Sequence, residues 1–286
     1  MTQKVDWELP PVEVAVAKFE RHIRRLGFSE STIIDYASRA RRYLNACDTA
    51  EPTADDATKF RDGLIDRRLS KSSINNYSFV MRAYHAMLGA PIKLPHMKMG
   101  EKLPYVFDES DVQKIFDSTT NLKFLAVLQI GFFAGLRASE VANLDDSDID
   151  LMNKTVRVRG GKNDRDALLY INDVCTNTLR FYLKRRPSLE VDHRHPLFYS
   201  NKQKRYDRKQ VYNIFRRCKA KAGVIKPGGA HVFFRHSSAT LLLKRGCDLL
   251  TVKELLRHKD IKTTEKYLHL TDEVKRSKYD QYLRLE

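Results

Sequence analysis

Residues 231–269 read HVFFRHSSATLLLKRGCDLLTVKELLRHKDIKTTEKYLH and concentrate groups that bind phosphate or move protons. These groups are His231, Arg235, His236, His258 and Tyr267. Arginine offers a planar fork of donors to phosphate oxygens, and histidine exchanges protons near neutral pH. A tyrosine close to cations is a candidate nucleophile, because positive charge favours the phenolate. The stretch therefore predicts an active site for a nucleic-acid phosphate that needs no metal.

The composition of the chain is typical of a protein that binds nucleic acid. Among its 286 residues, 52 Lys and Arg outnumber 36 Asp and Glu, which gives a net charge of +16 at pH 7. A positive surface attracts the phosphate backbone of a nucleic acid. We therefore expect an anionic macromolecule as the partner, although charge alone does not identify a function.

The sequence also predicts the cellular setting. The four cysteines, Cys47, Cys175, Cys218 and Cys247, lack the short paired spacings of a zinc site and the density of a disulfide framework. No apolar run approaches the roughly 20 residues of a membrane helix. The N-terminal MTQKVDWELPP lacks the apolar core of a signal peptide. We therefore expect a soluble, cytoplasmic protein with reduced thiols and no membrane partner.

Residues 1–95 are predicted to form an N-terminal domain of four helices that binds nucleic acid. The first helix ends before Gly27 and carries an apolar stripe with spacings of four and three: Val12, Val16, Phe19, Ile23 and Leu26. Thr53 and Asp56 have the spacing of a capping box before the third helix, and the fourth begins near Ser70. The fourth helix mixes Ser, Asn, Arg and Tyr, which donate to phosphate oxygens or base edges. The alternative is a small helical bundle with a solvated polar face.

A break in periodicity separates this domain from a second one. The stretch APIKLPHMKMGEKLPYVFDES carries three prolines and several lysines, so residues 96–107 are interpreted as a linker and residues 108–286 as a catalytic domain. The second domain is predicted to begin with a helix from about Glu109. The apolar helix LKFLAVLQIGFFAG follows, and its end at Gly135 would hold the Arg137 guanidinium rigidly for phosphate binding.

Two further segments of this domain carry chemistry-bearing side chains. TVRVRGGKNDRDALLYI predicts a β-hairpin with Lys162 at its tip, where a lysine is most often only a soluble turn residue. An acidic run precedes the hairpin and consists of Asp145, Asp146, Asp148 and Asp150. It does not fit a calcium loop, because Leu151 and Arg157 stand where glycine and glutamate are needed. The acidic run is therefore interpreted as solvated surface.

Taken one at a time, the candidate residues within 231–269 also have ordinary structural explanations. The chain has 13 tyrosines, and most tyrosines pack in cores or on surfaces. A lone His231 or His258 is more often a structural histidine than an acid or base. Their spacing favours a site, because Arg235 begins a helix that Gly246 ends, and a second apolar helix ends by His258.

Four segments in order along the chain carry a family resemblance. They are AGLRASE around Arg137, GGKND with Lys162, RHSSATLLLKRG from Arg235, and ELLRHKDIKTTEKY from Glu254 to Tyr267. In order and spacing they resemble the tyrosine recombinases of the phage integrase family, most of all the Xer type. The resemblance covers nearly the whole chain. It implies a mainly α fold with a small β-sheet or hairpin (α+β) in the catalytic domain, and an N-terminal four-helix domain that binds core DNA.

The catalytic residues that the resemblance implies are Arg137, Lys162, His231, Arg235, His258 and Tyr267, without a cofactor or metal. In such a set the tyrosine attacks a DNA phosphate to give a 3′-phosphotyrosine and a free 5′-hydroxyl. The two arginines bind the non-bridging oxygens, and the lysine protonates the leaving oxygen. The first histidine handles the tyrosine proton, and the second hydrogen-bonds the phosphate.

The sequence departs from the family pattern at two positions. The pattern places a histidine three residues before the second arginine, whereas His231 lies four before Arg235, and Val232 occupies the expected position. Either the chain bulges by one residue so that His231 reaches the site, or this role is weakened. In KELLRHKD, Arg257 replaces the glycine that is usual before the histidine, which adds charge and changes the local packing.

The resemblance also implies the partners. They are double-stranded DNA with specific recombination sites and further copies of the chain, with four protomers in a synapse that exchanges strands through a Holliday junction. The C-terminal TDEVKRSKYDQYLRLE can dock in a neighbouring subunit or pack in its own. Chromosome dimer resolution and integration of a mobile element both stay open, as does an accessory protein. The alternatives are a type IB topoisomerase-like enzyme that relaxes DNA, and a non-catalytic DNA-binding protein on the same fold.

Overall fold

The chain divides into two compact units, Met1–Glu101 and Lys102–Glu286. The computed structural model describes most of both units, namely residues 11–100, 105–160, 166–267, 276, 279 and 280. The division falls inside the stretch that was interpreted as a linker, residues 96–107. Within the described ranges, no helix has the length and apolar character needed to cross a membrane.

Within residues 11–100, the part of the first unit that the structure describes, there are four helices. They are α1 (Pro11–Arg25), α2 (Glu30–Cys47), α3 (Ala54–Asp66) and α4 (Lys71–Met87). The capping box before α3 is present, because Asp56 N–H donates to Thr53 Oγ1 at 3.2 Å and Thr53 N–H donates to the Asp56 carboxylate at 2.9 Å. The predicted burial of Leu26 is wrong: it is 60% exposed, since α1 ends at Arg25 and the chain turns at Gly27 with φ 78°.

The second unit contains eight helices within the residues that the structure describes. They are α5 (Glu109–Ser118), α6 (Leu122–Phe133), α7 (Ala138–Asn143), α8 (Asp173–Arg185), α9 (Arg208–Lys221), α10 (Ser238–Lys244), α11 (Leu249–Leu255) and α12 (Lys262–Glu265). A π-helical segment, Val232–Ser237, precedes α10. The apolar α6 is buried and packs against α8, α9 and the π-helical segment. A methyl group at Gly131 of α6 would lie 2.6 Å from the Phe234 ring, so glycine allows this close packing.

A small antiparallel sheet completes the second unit. Its strands are β1 (Ile149–Asp150), β2 (Thr155–Val158) and β3 (Ala167–Tyr170), in that order. In the β2–β3 pair, Thr155 lies opposite Tyr170 and Val158 lies opposite Ala167. The predicted hairpin is therefore confirmed, whereas β1 was not predicted. The fold is mainly helical with one small sheet, as the sequence indicated.

The prediction that the acidic run is solvated surface is wrong for two of its four residues, whereas Asp150 is exposed. Asp145 is 3% exposed and Asp148 is 4% exposed. Asp145 forms ion pairs with Arg159, Arg194 and Arg205, and Asp148 pairs with Arg159. These five residues are called the Asp145 cluster. The arginines come from three separate parts of the chain, so the folded structure rather than local sequence buries the carboxylates.

Candidate active site

Arg235 is the buried centre of the candidate site. It is 2% exposed, and its Nη1 donates to the Gly135 carbonyl oxygen at 2.7 Å while its Nη2 donates to the Leu256 carbonyl oxygen. Among the described residues, no Asp or Glu forms an ion pair with Arg235. Burial, followed by the charge of Arg137, lowers the pKa of Arg235 to about 10. A buried cation without a counter-ion is unfavourable, so this position favours a bound anion.

The close approach of Gly135 and Leu256, whose carbonyl groups bind Arg235, depends on the glycine. Gly135 follows α6 in the left-handed conformation, with φ 58°, which a residue with a side chain adopts at a cost. A Cβ at this position would lie 2.4 Å from Cδ2 of Leu256. Glycine is therefore required for the turn after α6 to approach Leu256 and to bring both acceptors to Arg235.

Arg137 lies at the N-terminus of α7 and is held by one carboxylate. Its Nη1 donates to Glu140 Oε1 at 2.8 Å, and its backbone N–H donates to Glu140 Oε2 at 2.7 Å. Arg257 also donates to Glu140 Oε2, at 2.7 Å. Burial alone would raise the pKa of Glu140, but Arg257 and Arg137 outweigh it and lower the pKa. We call Arg137, Glu140, Arg235 and Arg257 the site cluster. The Arg137 side chain stays 41% exposed, so it is accessible to a ligand.

The π-helical segment explains how His231 reaches the site. A π-helix closes its hydrogen bonds over i→i+5 and so takes up one more residue per turn than an α-helix. His231 is the residue before the segment, and Arg235 lies within it. The His231 and His236 rings meet edge to face, with centroids 4.6 Å apart. The four-residue spacing is therefore accommodated by a bulge, and His231 lies beside the other site residues.

Tyr267 is buried and its hydroxyl contacts His236. The tyrosine is 1% exposed, and Oη forms a hydrogen bond with His236 Nδ1. The His258 ring stacks at 6.4 Å from the Tyr267 ring, and its Nδ1 is hydrogen-bonded to Thr264 Oγ1 at 2.8 Å. Of His231, His236 and His258, His236 is therefore the one that is hydrogen-bonded to the Tyr267 hydroxyl.

Burial lowers the pKa of all three histidines and keeps His236 and His258 neutral. Burial, followed by nearby cationic and histidine groups, lowers the pKa of His236 to about 4 and that of His258 to about 4. The pKa of His231 is lowered by burial and then by Arg235 and Arg137; this ring keeps more than a third of its surface exposed, so solvent weakens the shift. Burial raises the pKa of Tyr267 to about 12, although Arg235 opposes the increase. A neutral imidazole thus faces a protonated phenol.

The structure brings together five of the six predicted catalytic residues: Arg137, His231, Arg235, His258 and Tyr267. Lys162 lies outside the described residues, as does most of the C-terminal segment with the predicted docking helix. The strands before and after residues 161–165 are paired, and Arg157 donates to the Asp166 carboxylate at 2.5 Å. His236 was noted among the proton-handling groups of residues 231–269, but the predicted catalytic set did not include it.

Comparisons with known proteins agree with the motifs. The model of the phage integrase family matches residues 105–274, which is more than half of the chain. The chain is 30% identical over 261 residues to tyrosine recombinase XerA of Pyrococcus horikoshii, covering 89% of this chain and 88% of that protein. It is 29% identical over 268 residues to XerA of Saccharolobus solfataricus, covering 88% of this chain and 87% of that protein.

Solved structures show the same fold. A crystal structure of XerA recombinase superposes with a TM-score of 0.58 at 26% identity, covering 96% of this chain and all of that chain. A lambda integrase tetramer bound to a Holliday junction superposes with a TM-score of 0.69 at 16% identity, covering 88% of this chain and 78% of that chain. At the lower identity the likeness concerns the fold alone.

Proposed function

The chain belongs to the phage integrase family, and we propose that its Tyr267 cuts and rejoins DNA through a covalent phosphotyrosine bond. The enzyme is a tyrosine-type site-specific DNA recombinase. The six residues that the family motifs point to, with His236 added, are its proposed catalytic machinery.

One observation supports the phosphate site most strongly, namely the buried charge of Arg235. Its guanidinium is held by two carbonyl groups and, within the described part of the chain, by no carboxylate. The accessible Arg137 guanidinium is close enough to lower the pKa of Arg235. Arg235, which has no carboxylate partner among the described residues, and Arg137, which shares Glu140 with Arg257, together suit the two non-bridging oxygens of a phosphodiester. They also stabilise the extra negative charge that develops as a nucleophile attacks phosphorus.

The first chemical step transfers a proton away from Tyr267. The tyrosine Oη attacks the scissile phosphorus, and the hydroxyl proton passes to Nδ1 of neutral His236. The His231 ring packs edge to face against the His236 ring, with centroids 4.6 Å apart. The proton-handling role that the family pattern gives to His231 thus moves to its neighbour in our proposal, with His231 in support.

The second half of the step releases the 5′ oxygen. The phosphorus–oxygen bond to this oxygen breaks, and Lys162 supplies the proton that makes it a free 5′-hydroxyl. The 3′-phosphotyrosine conserves the energy of the broken bond. Attack by a 5′-hydroxyl from another DNA strand reverses each transfer, returns the proton to Tyr267 and rejoins the backbone without ATP.

The proposed partners are DNA and further copies of the chain. We expect the first unit, α1–α4, to grip core DNA together with the second unit, mostly through phosphate contacts. Binding should therefore weaken steeply as salt rises. By analogy with the lambda integrase tetramer on a Holliday junction, four copies are expected to act on two specific recombination sites.

The decisive test is recovery of the covalent intermediate. The full chain is incubated with fragmented DNA of its source genome and denatured, and DNA that remains attached to protein is captured and sequenced. We expect adducts at one short sequence, attached through a 3′ phosphate, with the 5′ end open to labelling by a kinase. Tyr267→Phe should bind the same DNA and give no adduct. Absence of adducts with the unaltered chain, or adducts with the variant, would refute the proposed chemistry.

A second assay separates recombination from DNA relaxation. Two duplexes that carry the recovered sequence and different labels are mixed with the enzyme. A recombinase yields duplexes with both labels, whereas a topoisomerase-like enzyme relaxes a supercoiled plasmid and yields no exchanged products. Exchange at the recovered sequence is the expected outcome.

A further inference from the structure

Arg257 occupies a backbone position that normally requires glycine. Its φ is 54°, in the left-handed region. The backbone bonds His258 N–H to Lys253 O at 2.9 Å and Arg257 N–H to Glu254 O at 2.9 Å end α11 in a Schellman motif, whose left-handed residue is usually glycine. A side chain there makes the backbone less favourable. A non-glycine residue kept in such a conformation next to an active site points to a function for its side chain.

The turn at Arg257 directs three consecutive residues toward three site residues. The Leu256 carbonyl oxygen accepts a hydrogen bond from Arg235, and the His258 ring stacks near Tyr267. Between them, the Arg257 guanidinium reaches Glu140, which is 117 residues away in sequence. The side chain of Arg257 is 17% exposed and that of Glu140 is 13% exposed, so solvent screens this ion pair only in part.

Glu140 is shared between two arginines. Its Oε1 accepts from the Arg137 side chain, while its Oε2 accepts both from the Arg137 backbone and from Arg257. With Arg137 alone, the carboxylate would cancel the charge of the phosphate-binding arginine. The second guanidinium leaves the trio with one net positive charge, and it fixes the carboxylate that orients Arg137.

From this geometry we infer that Arg257 is a positioning residue, which holds Glu140 and through it sets the orientation and effective charge of Arg137 at the scissile phosphate. The inference rests on the proposed function of the site. The Arg257 guanidinium binds Glu140, and its buried Nε has no hydrogen-bond partner within the described residues. Its effect should therefore appear in the rate of cleavage rather than in the affinity for DNA.

The test compares Arg257→Gly with the unaltered enzyme. Glycine suits the left-handed turn, so the variant should melt no lower than the parent. We expect DNA affinity to change less than twofold and the single-turnover rate of adduct formation at saturating DNA to fall about tenfold, the usual scale of a lost charged hydrogen bond. Methylguanidinium at millimolar concentration should restore part of the rate, and Arg257→Lys should fall between the two.

Lys154→Gly is the matched control. Lys154 also has φ 54° and also pairs with a carboxylate, that of Asp173 at 2.7 Å, at the turn between β1 and β2. This variant should show the same backbone relief, keep the parental cleavage rate and gain nothing from methylguanidinium. A rate in Arg257→Gly equal to that of the parent would overturn the inference, as would a large loss of stability.

A double-variant cycle tests the route through Glu140. In a Glu140→Gln background, removal of Arg257 should have little further effect on the rate, because the shared carboxylate is already gone. An undiminished tenfold loss in that background overturns the proposed route. All rates require that the unaltered chain forms an adduct; if it forms none, the proposed function fails before the role of Arg257 is measured.

Discussion

The second unit contains two clusters of three arginines that differ in their charge balance. In the Asp145 cluster, Arg159, Arg194 and Arg205 surround two buried carboxylates. The site cluster has three arginines and the single carboxylate of Glu140, which binds Arg137 and Arg257, while the most deeply buried arginine, Arg235, has only carbonyl partners within the described residues. Three arginines therefore meet two carboxylates in one cluster and one carboxylate in the other, and the site cluster keeps the larger positive charge.

The difference separates a structural role from a functional one. Paired charges hold the segments around β1 and β2 together and offer little to a ligand. An unpaired buried charge lowers the stability of the folded protein, and a ligand of opposite charge restores that stability when it binds. Burial lowers the pKa values of His236 and His258, and nearby histidine and arginine groups lower them further, so both rings stay neutral.

The largest expected effect is that of Arg235→Met on catalysis. Removal of this guanidinium should lower the rate of adduct formation at least about 10³-fold, the scale found for a lost transition-state donor. Because methionine also removes a buried charge, the melting temperature should change little. Single-turnover cleavage and thermal melting measure the two quantities. A variant that cleaves normally would show that the excess charge has no catalytic role.

Asp145→Ala should have the opposite profile. It leaves Arg159, Arg194 and Arg205 with one carboxylate between them, and these arginines are partly solvated. We expect a loss of about 2–3 kcal/mol in unfolding free energy, below the value for a fully buried pair. In a unit of this size that is a drop of about 5–10 °C in melting temperature. Cleavage by the folded fraction should be unchanged; a lost cleavage activity with normal melting would place this cluster in the site.

The contribution of Asp145 to the stability of the fold should depend on pH. Burial would raise the pKa of Asp145, but Arg205, Arg194 and Arg159 outweigh it and lower the pKa below its usual value. Its contribution to stability is therefore present above the pKa of the unfolded chain, about 4, and disappears as the pH falls through the folded pKa. The melting difference between the parent and Asp145→Ala should be full at pH 7 and should shrink below pH 4.

The two clusters also show how far the sequence can be interpreted. The capping box of Thr53 and Asp56 and the β2–β3 hairpin depend on neighbours within a few residues, and these two predictions are confirmed. The predicted helix start at Arg235 is wrong, because Arg235 lies inside the π-helical segment. The burial of Asp145 depends on arginines up to 60 residues away, which no local pattern shows. The contact between Arg257 and Glu140 spans 117 residues and was equally hidden.

The order of motifs supplied the site residues, but not their contacts. A one-residue offset left the position of His231 open, because the choice between a bulge and a displaced side chain depends on how the segment packs. The structure places a π-helical segment there, and the same segment turns His236 toward Tyr267. Sequence spacing therefore predicted which residues lie near one another, whereas tertiary packing decides which histidine is hydrogen-bonded to the Tyr267 hydroxyl.

A smaller effect, about 10²-fold in rate, is expected for His236→Ala, since this is the scale of general base catalysis. In the parent, His236 has a pKa of about 4 and is already a neutral acceptor, so cleavage should be flat between pH 6 and 8. In the variant, attack depends on the phenolate of Tyr267, whose pKa is about 12, so the rate should rise about tenfold per pH unit. A flat profile in the variant would argue that His236 only packs against the tyrosine.

The smallest expected effect is that of His231→Ala. This variant tests whether the charge of His231 and the hydrogen bond between His236 and Tyr267 contribute separately to the rate. The His231 ring meets His236 at 4.6 Å and, when protonated, lowers its pKa. Its removal should lower the rate less than about tenfold and leave the profile flat near neutral pH, because His236 still accepts the proton. The acid limb of the pH–rate profile should move to higher pH, as the pKa of His236 rises toward its ordinary value.

The opposite result would be a loss of about 10²-fold in rate and a steep pH–rate profile for His231→Ala, with a flat profile for His236→Ala. In that case His231, the histidine of the family pattern, is the proton acceptor despite its extra residue. The contact between His236 and Tyr267 would then belong to the DNA-free protein alone.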